Sequence, residues 1–363
     1  MKKLFLTVMI VLGLLSGVSS EQTLEPELHV PTDKLVWFTS APGATDLLEM
    51  VTRSDNPRYN WSKVRPFISV FQYYQGHAVP YKWDNAEGNT YNILSRGGFF
   101  QSLKETHRIE TAMEVGAVKW FACDNKKGEV IQMANNAVES AGLVSDAGGN
   151  LRYMTIDSAL VGGYTCHEKV LYPRDTGELV AVWMRDVRAG LREKRILETN
   201  FQIGDVEPYP YIDVDQHKMY VDTVEREAKR LGIPGFSHYH FDVDMRALRD
   251  YPKLKRDVFE MSAYLKARGI RFGIIMNGED SDSATEYFET LNKRLVAFKS
   301  LGLFDVAQNI VIQSWAMSKD GKQNLPTNVP EDEPYTHTNY AWHMLNCIVD
   351  TPGWDCEHYP QPK

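Results

Sequence analysis

QHKMYVDTVEREAKRLGIPGFSHYHFDVDMRALRDYPKLKRDVFEMSAYLKARGIRFGIIMN, residues 216–277, repeats one pattern twice: a charged amphipathic helix followed by a short run of strand-forming residues. Residues 216–231 and 253–268 set apolar side chains at helical spacing on a charged background. Gly232 and Gly269 stand where C-caps belong, and Pro234 keeps the first helix from continuing. The runs that follow, 236–243 and 271–277, are rich in aromatic and β-branched residues. This alternation is the signature of βαβ units and a parallel sheet.

The pattern extends outward in both directions. Toward the C-terminus, Ser283 with Glu286 forms a capping-box pattern at the head of a helix over 283–301, and 309–315 reads as a strand. Toward the N-terminus, strands are expected at 35–41, 67–72, 115–123, 152–159 and 195–203. Eight strands mostly separated by helices predict a single-domain (β/α)8 TIM barrel, because closure hides the edges of a parallel sheet this wide. The competing open, doubly wound sheet is weakened by the absence of a Gly-x-Gly-x-x-Gly turn after an early strand. Residues 75–98 and 162–188 read as elaborated βα loops, the second holding a ninth strand-like run at 179–187. Residues 316–336 form the loop after strand eight, and a last helix over 338–349 closes the ring.

At the start of the chain Lys2 and Lys3 precede a charge-free apolar run from Leu4 to Leu15, with small residues at Val18 and Ser20. That run is shorter than the roughly 20 residues a membrane-spanning helix needs, so residues 1–20 read as a signal peptide cleaved before Glu21. The barrel then occupies 21–363, and the expected location is secreted or periplasmic with no membrane attachment after cleavage. A net charge of -8 with no basic block argues against a nucleic-acid partner. The four cysteines lack zinc-site spacing; outside the cytoplasm Cys347 with Cys356, and Cys123 with Cys166, are possible disulfides.

In a barrel of this kind chemistry collects at the C-terminal ends of the strands. Strand four finishes at Asp157, and the chain after strand five carries Glu207 into Pro208-Tyr209-Pro210. Strand six alternates strictly, so that His238, His240, Asp242 and Asp244 share one face. Strand seven ends in Asn277, Gly278, Glu279 and Asp280, and strand eight ends in Trp315. Tyr73, Tyr74, Tyr209 and Tyr211 lie at or near strand ends, where aromatic faces suit the apolar C–H faces of sugars. Each has a plainer reading: a hydrogen-bonded layer within the barrel for the histidines, helix-dipole complement for Glu279 and Asp280, loop anchorage for Glu207, and packing for Trp315.

Glycosidic cleavage needs one carboxylic acid to protonate the leaving oxygen and a second carboxylate to attack or to activate water. Glu207 and Glu279 are the expected catalytic pair, with Asp157, His238, His240, Asp242, Asn277, Trp315, Tyr73 and Tyr209 expected to bind a carbohydrate substrate. In architecture, over most of the mature chain, the sequence resembles the broad (β/α)8 glycoside hydrolase superfamily. In its largest clan the acid/base ends strand four and the nucleophile ends strand seven. That resemblance implies the second role for Glu279, whereas Glu207 follows strand five. No cofactor or metal is required by this chemistry. Two alternatives stay open: a metal-dependent sugar isomerase or epimerase using His240, Asp242, Glu207 and Glu279, and a barrel that binds carbohydrate without turnover.

Overall fold

Strands form where branched and aromatic residues can pack on both faces, and helices where apolar residues recur every three to four positions. In the computed structural model, which describes residues 28, 30–40, 46–78, 90–118, 127–164, 172–279, 281–314 and 327–360, this yields a closed ring of parallel strands in sequential order. The strands are β1 (Leu35–Thr39), β2 (Ile68–Tyr74), β3 (Glu110–Val115), β4 (Tyr153–Asp157), β5 (Gln202–Tyr209), β6 (His238–Val243), β7 (Arg271–Met276) and β8 (Asn309–Ile312). β8 pairs back onto β1 through Leu35 opposite Asn309, which closes the barrel. The helices used below are α1 (Leu47–Thr52), α2 (Thr90–Arg96), α3 (Phe99–Ser102), α4 (Lys127–Asp146), α5 (Ala159–Tyr164), α6 (Pro173–Glu193), α7 (Val214–Leu231), α8 (Tyr251–Lys266), α9 (Ala284–Leu301), α10 (Leu303–Val306) and α11 (His337–Ile348). No helix of the described residues is long and apolar enough to cross a membrane.

The expected signal peptide, Cys123, Cys166, Asp280 and Trp315 lie outside the described residues. The Cys347–Cys356 bridge is present and ties the chain after α11 to that helix.

Three sequence expectations shift. The run at 179–187 is helical, lying inside α6, where Leu179, Val180, Trp183, Met184, Val187 and Leu191 recur at helical spacing and are buried. Pro173 opens that helix at its first turn, so the segment expected as a loop supplies the crossover from β4 to β5. β3 begins five residues before its expected start, and β5 runs six residues beyond its expected end. Both displacements have one cause: these strands carry carboxylates, Glu114 on β3 and Asp205 with Glu207 on β5, inside segments whose polarity hid their strand character.

Inside the ring, Trp37, Val70, Ala112, Tyr153, Val206, Ile275 and Val311 form one apolar plug separate from the larger core between strands and helices. Trp37 is its centre, with the rings of Tyr153, His238 and His240 each 5.0 Å away, that of His240 edge-on. β6 can place two imidazoles there because its neighbours carry glycine at the matching register. A β-carbon on Gly204 of β5 would lie 2.3 Å from His238 Cδ2, and one on Gly273 of β7 would lie 2.4 Å from His240 Cδ2. Beyond β8, the returning segment is pinned by two carboxylates. Glu331 accepts from Lys63 N and Val64 N, and Asp46 accepts from Asn328 N and Val329 N.

Candidate active site

Side chains alternate along a strand, so the plug fixes which residues face the barrel axis. On β5, Val206 belongs to the plug, while Ile203 and Tyr209 belong to the outer core. Glu207 therefore points outward. Its carboxylate is fully buried and accepts from Leu160 N at 2.6 Å and Val161 N at 3.0 Å, the second and third residues of α5. It caps a helix from a neighbouring strand, satisfying N–H groups that have no partner within the first turn. Asp205 faces the same way and accepts from Tyr220 Oη at 2.6 Å. Burial pushes both carboxyls well above the ordinary range, and Asp205's charge adds to the rise at Glu207.

The expectation that Glu207 works at the barrel mouth is thus corrected: a one-residue change of parity carries it to the helical layer. Tyr73 and Tyr209 are corrected for the same reason. Tyr73 is buried against Phe100 with ring centroids 5.4 Å apart. Tyr209 stacks on Phe241 and donates to Asp257 Oδ2 at 2.8 Å.

His238 and His240 face inward as expected, but deep within the ring. His238 Nε2 lies 3.0 Å from Thr155 Oγ1, and His240 Nε2 lies 2.9 Å from Asn309 Nδ2. Burial lowers His238 to about 3 and, with His238 beside it, drives His240 well below its ordinary value, so both are neutral. They form a hydrogen-bonded layer under the mouth.

Above that layer the strands end in a polar ring. Glu114 Oε2 accepts from Gln72 Nε2 at 2.8 Å and from Gln313 Nε2 at 2.7 Å. Tyr74 Oη accepts from Gln313 at 3.2 Å and donates to the Ser314 carbonyl at 2.8 Å. Thr155 Oγ1 donates to Gln72 Oε1 at 3.3 Å, joining this group to His238 below. Glu114 is half-buried and anchored by two primary amides, a preorganised carboxylate one residue ahead of the strand expected at 115–123. Starting that strand at Glu110 would have revealed it, because Ala112 and Glu114 then share the inward face.

Further around the mouth, from β4 to the end of β7, stand Asp157, Asp242 and Glu279. Asp242 is pushed up to about 7, chiefly by burial; Asp244, Asp157 and Glu279 add to the rise and the Arg294 guanidinium opposes it. Those groups share one electrostatic neighbourhood. Arg294, on α9, is almost fully buried; its Nη2 lies 3.6 Å from Glu279 Oε1 and its Nε donates to Met245 Sδ at 3.4 Å. No sequence motif marked this cation, since a lone arginine on a helix reads as a solvated face. Ser158 Oγ donates to Asp157 Oδ1 at 2.7 Å. Asn277 is buried beside Tyr287, whose hydroxyl donates to its Oδ1 at 3.3 Å. The mouth thus brings together Asp157, Asp242, Asn277 and Glu279 of the expected residues and adds Glu114, Gln72, Gln313, Tyr74 and Arg294. Of the proposed metal shell, Glu207 faces the helices and His240 lies in the plug; no group of three His, Cys, Asp or Glu side chains among the described residues is arranged to hold a metal ion.

No protein-family model matches the sequence, and comparison with curated proteins finds no match. Solved structures do match. An endo-β-1,4-mannanase of Cellulomonas fimi, described as a modular member of glycoside hydrolase family 26, superposes with a TM-score of 0.53 at 12% identity, over 88% of this chain and 71% of that one. Its double mutant gives 0.52 over the same shares. An endo-β-1,6-glucanase gives 0.51 at 10% identity, over 86% of this chain and 75% of that one. The chain shares with these glycoside hydrolases the fold of a (β/α)8 barrel.

Proposed function

We propose that the protein is an exported glycoside hydrolase that cleaves a poly- or oligosaccharide by paired carboxylates, with Asp242 as proton donor and Glu279 as the carboxylate that attacks the sugar or activates water. The observation that carries the reading is the cluster at the mouth, where Asp242 keeps its proton near neutral pH beside other carboxylates and the buried Arg294. An acid that holds a proton at the working pH next to a partner that does not is the arrangement glycosidic cleavage requires. Asp157 and Glu114 serve as acceptors for sugar hydroxyls, Glu114 being held in place by Gln72 and Gln313. Export is supported by the Cys347–Cys356 bridge, a linkage that persists in oxidising compartments. The glycosidase names of the barrel's structural neighbours agree with this reading.

Cleavage proceeds as Asp242 protonates the glycosidic oxygen, the C–O bond breaks, and Glu279 or the water it activates supplies the new bond to the anomeric carbon. Where Glu279 attacks, water then displaces it from the anomeric carbon and gives its proton to Asp242, restoring the acid; where Glu279 instead activates water, Glu279 takes that proton, and both carboxyls return to their starting forms by proton exchange with solvent. The test incubates the purified protein with a polysaccharide panel including β-1,4-mannan and β-1,6-glucan and measures new reducing ends. Release by the wild type, absent in Asp242→Asn and Glu279→Gln, supports the assignment; no release from any member, or release undiminished in both variants, removes it.

A further inference from the structure

We infer that the rim above β4, β5 and β6 is an extended binding track for a neutral polysaccharide chain, with Tyr172, Tyr211 and Tyr251 as its stacking surfaces. The track takes the mouth as the site proposed above and names the substrate that reaches it.

Among the described residues the exposed large apolar side chains include four aromatics, and three of them lie at the face where the strands end. Tyr172, 66% exposed, is the N-cap of α6 after β4; Tyr211, 55% exposed, follows β5; Tyr251, 46% exposed, opens α8 after β6. Helices of a (β/α)8 barrel begin on the face that carries the strands' C-terminal ends, so these rings occur in order around one side of the mouth. The fourth, Phe259, lies midway along α8, off that face.

Tyr211 is braced. The Arg246 guanidinium lies 4.5 Å from its ring centroid, and Arg246 is itself locked by Asp244, which accepts from Nε at 2.8 Å and Nη2 at 2.9 Å. One ring face rests on a cation tied to the end of β6 while the ring stays open to solvent, a rigid apolar surface of the kind that binds at low entropic cost. Tyr251 borders a groove of about 900 Å³ between Met245 and Leu248 on one side and Asn292, Val296 and Tyr359 on the other. Met245 both lines the groove and receives the Arg294 Nε–H, so one end of the groove lies beside the cation of the mouth, and from there it runs along α9 toward Ser300. Apolar floor and polar edge together suit a sugar chain, whose rings present C–H faces and whose margins are hydroxyls.

The charge of the surroundings selects among polysaccharides. Asp157 and Glu279 at the mouth and Glu289 and Glu357 at the groove outnumber Arg294 and Lys293, and Asp244 is offset by Arg246, so on a chain of net charge -8 the balance repels polyuronates. A neutral chain fits.

Native affinity electrophoresis in gels cast with galactomannan, β-1,6-glucan, mixed-linkage β-glucan, xylan, chitosan or polygalacturonate tests the track, with Asp242→Asn used as the parent to keep the polysaccharide intact. At least one neutral polysaccharide is expected to retard the protein. Tyr211→Ala and Tyr251→Ala should each weaken that retention about five- to tenfold, in line with aromatic anchors at other interfaces, and Phe259→Ala should leave it unchanged. Retention without reducing-end release by the wild type would remove the hydrolase reading and leave the track standing. Retention by none of the neutral polymers, retention by chitosan or polygalacturonate alone, or retention undiminished in the double tyrosine variant would overturn the track.

Discussion

Replacing Glu207 separates two roles that a carboxylate near a barrel rim can play. Its oxygens take the N–H groups of Leu160 and Val161 in the first turn of α5. A hydrogen bond contributes about 0.5–1.5 kcal/mol net, and an orphaned buried donor costs about 1–3 kcal/mol. Loss of both in Glu207→Ala is offset in part by removal of a carboxyl that burial, with Asp205 beside it, makes unfavourable. The net cost is about 3 kcal/mol. Glu207→Gln keeps one acceptor and sets its amide against the other N–H, for a cost of about 1–2 kcal/mol. In a chain of this size each kcal/mol moves the midpoint by about 1.5 °C, so Tm should fall by about 4–5 °C in the alanine variant and about 2 °C in the glutamine variant.

The pH dependence has a definite sign. Because both carboxyls are raised, the folded state keeps protons that the unfolded chain releases near the ordinary values of 3.8 and 4.5. Stability is therefore greatest below those values and declines as pH rises through the folded-state titration. Glu207→Gln removes one member and should flatten that decline. Differential scanning calorimetry from pH 4 to 9, with reducing-end release at each pH, checks both effects. Activity should change no more than a few-fold, since the side chain acts on the mouth only through the α5 turn that follows Asp157. A glutamine variant with an unchanged midpoint and activity reduced about a thousandfold, the loss expected for a proton-transfer group, would refute the assignment.

Three further outcomes are expected. Activity should fall on the alkaline side with an apparent pKa about 7, because Asp242 must carry its proton; Asp242→Asn should lose about 10²–10⁴-fold in kcat and lose that alkaline limb, read from pH–rate profiles. Glu114→Ala, which frees the Gln72 and Gln313 amides, should lower kcat/KM by about tenfold or more through lost positioning, with initial rates and a melting curve separating this from unfolding. Gly204→Ala should destabilise by about 1–3 kcal/mol in urea unfolding because its β-carbon meets His238, and His238→Ser in the same chain should recover much of that loss.

How much was legible in the chain turns on periodicity. The second half, from α7 to α9, reads correctly because its helices have charged outer faces and visible caps: Asp213 and Gln216 form a capping box at the head of α7, Gly232 ends it in the left-handed region, and Ser283 Oγ accepts from Glu286 N at the head of α9. α6 was hidden because its buried face is broad. The run from Leu179 to Val187 is apolar enough to pass for a strand, and only the spacing of Trp183, Val187 and Leu191 marks it as a helix.

The site was legible strand by strand only where parity could be anchored. On β6 the alternation of histidine and aspartate with tyrosine, phenylalanine and valine sets the inward face without ambiguity, and His238, His240 and Asp242 all turn inward. Depth along the strand then divides them: two residues per layer place the imidazoles beside Trp37 and leave the carboxylate at the mouth. On β5 the alternation runs through Asp205, Val206 and Glu207, where carboxylates occupy the outer face and valine the inner, the reverse of what polarity suggests. A carboxylate can sit in that helical layer because specific donors await it there, Tyr220 for Asp205 and the α5 amides for Glu207. Those donors come from residues 15 to 47 positions away, so no local reading of the strand could have found them. Polarity marks which side chains need partners; the register of the closed ring decides whether the partner is a helix end or a substrate.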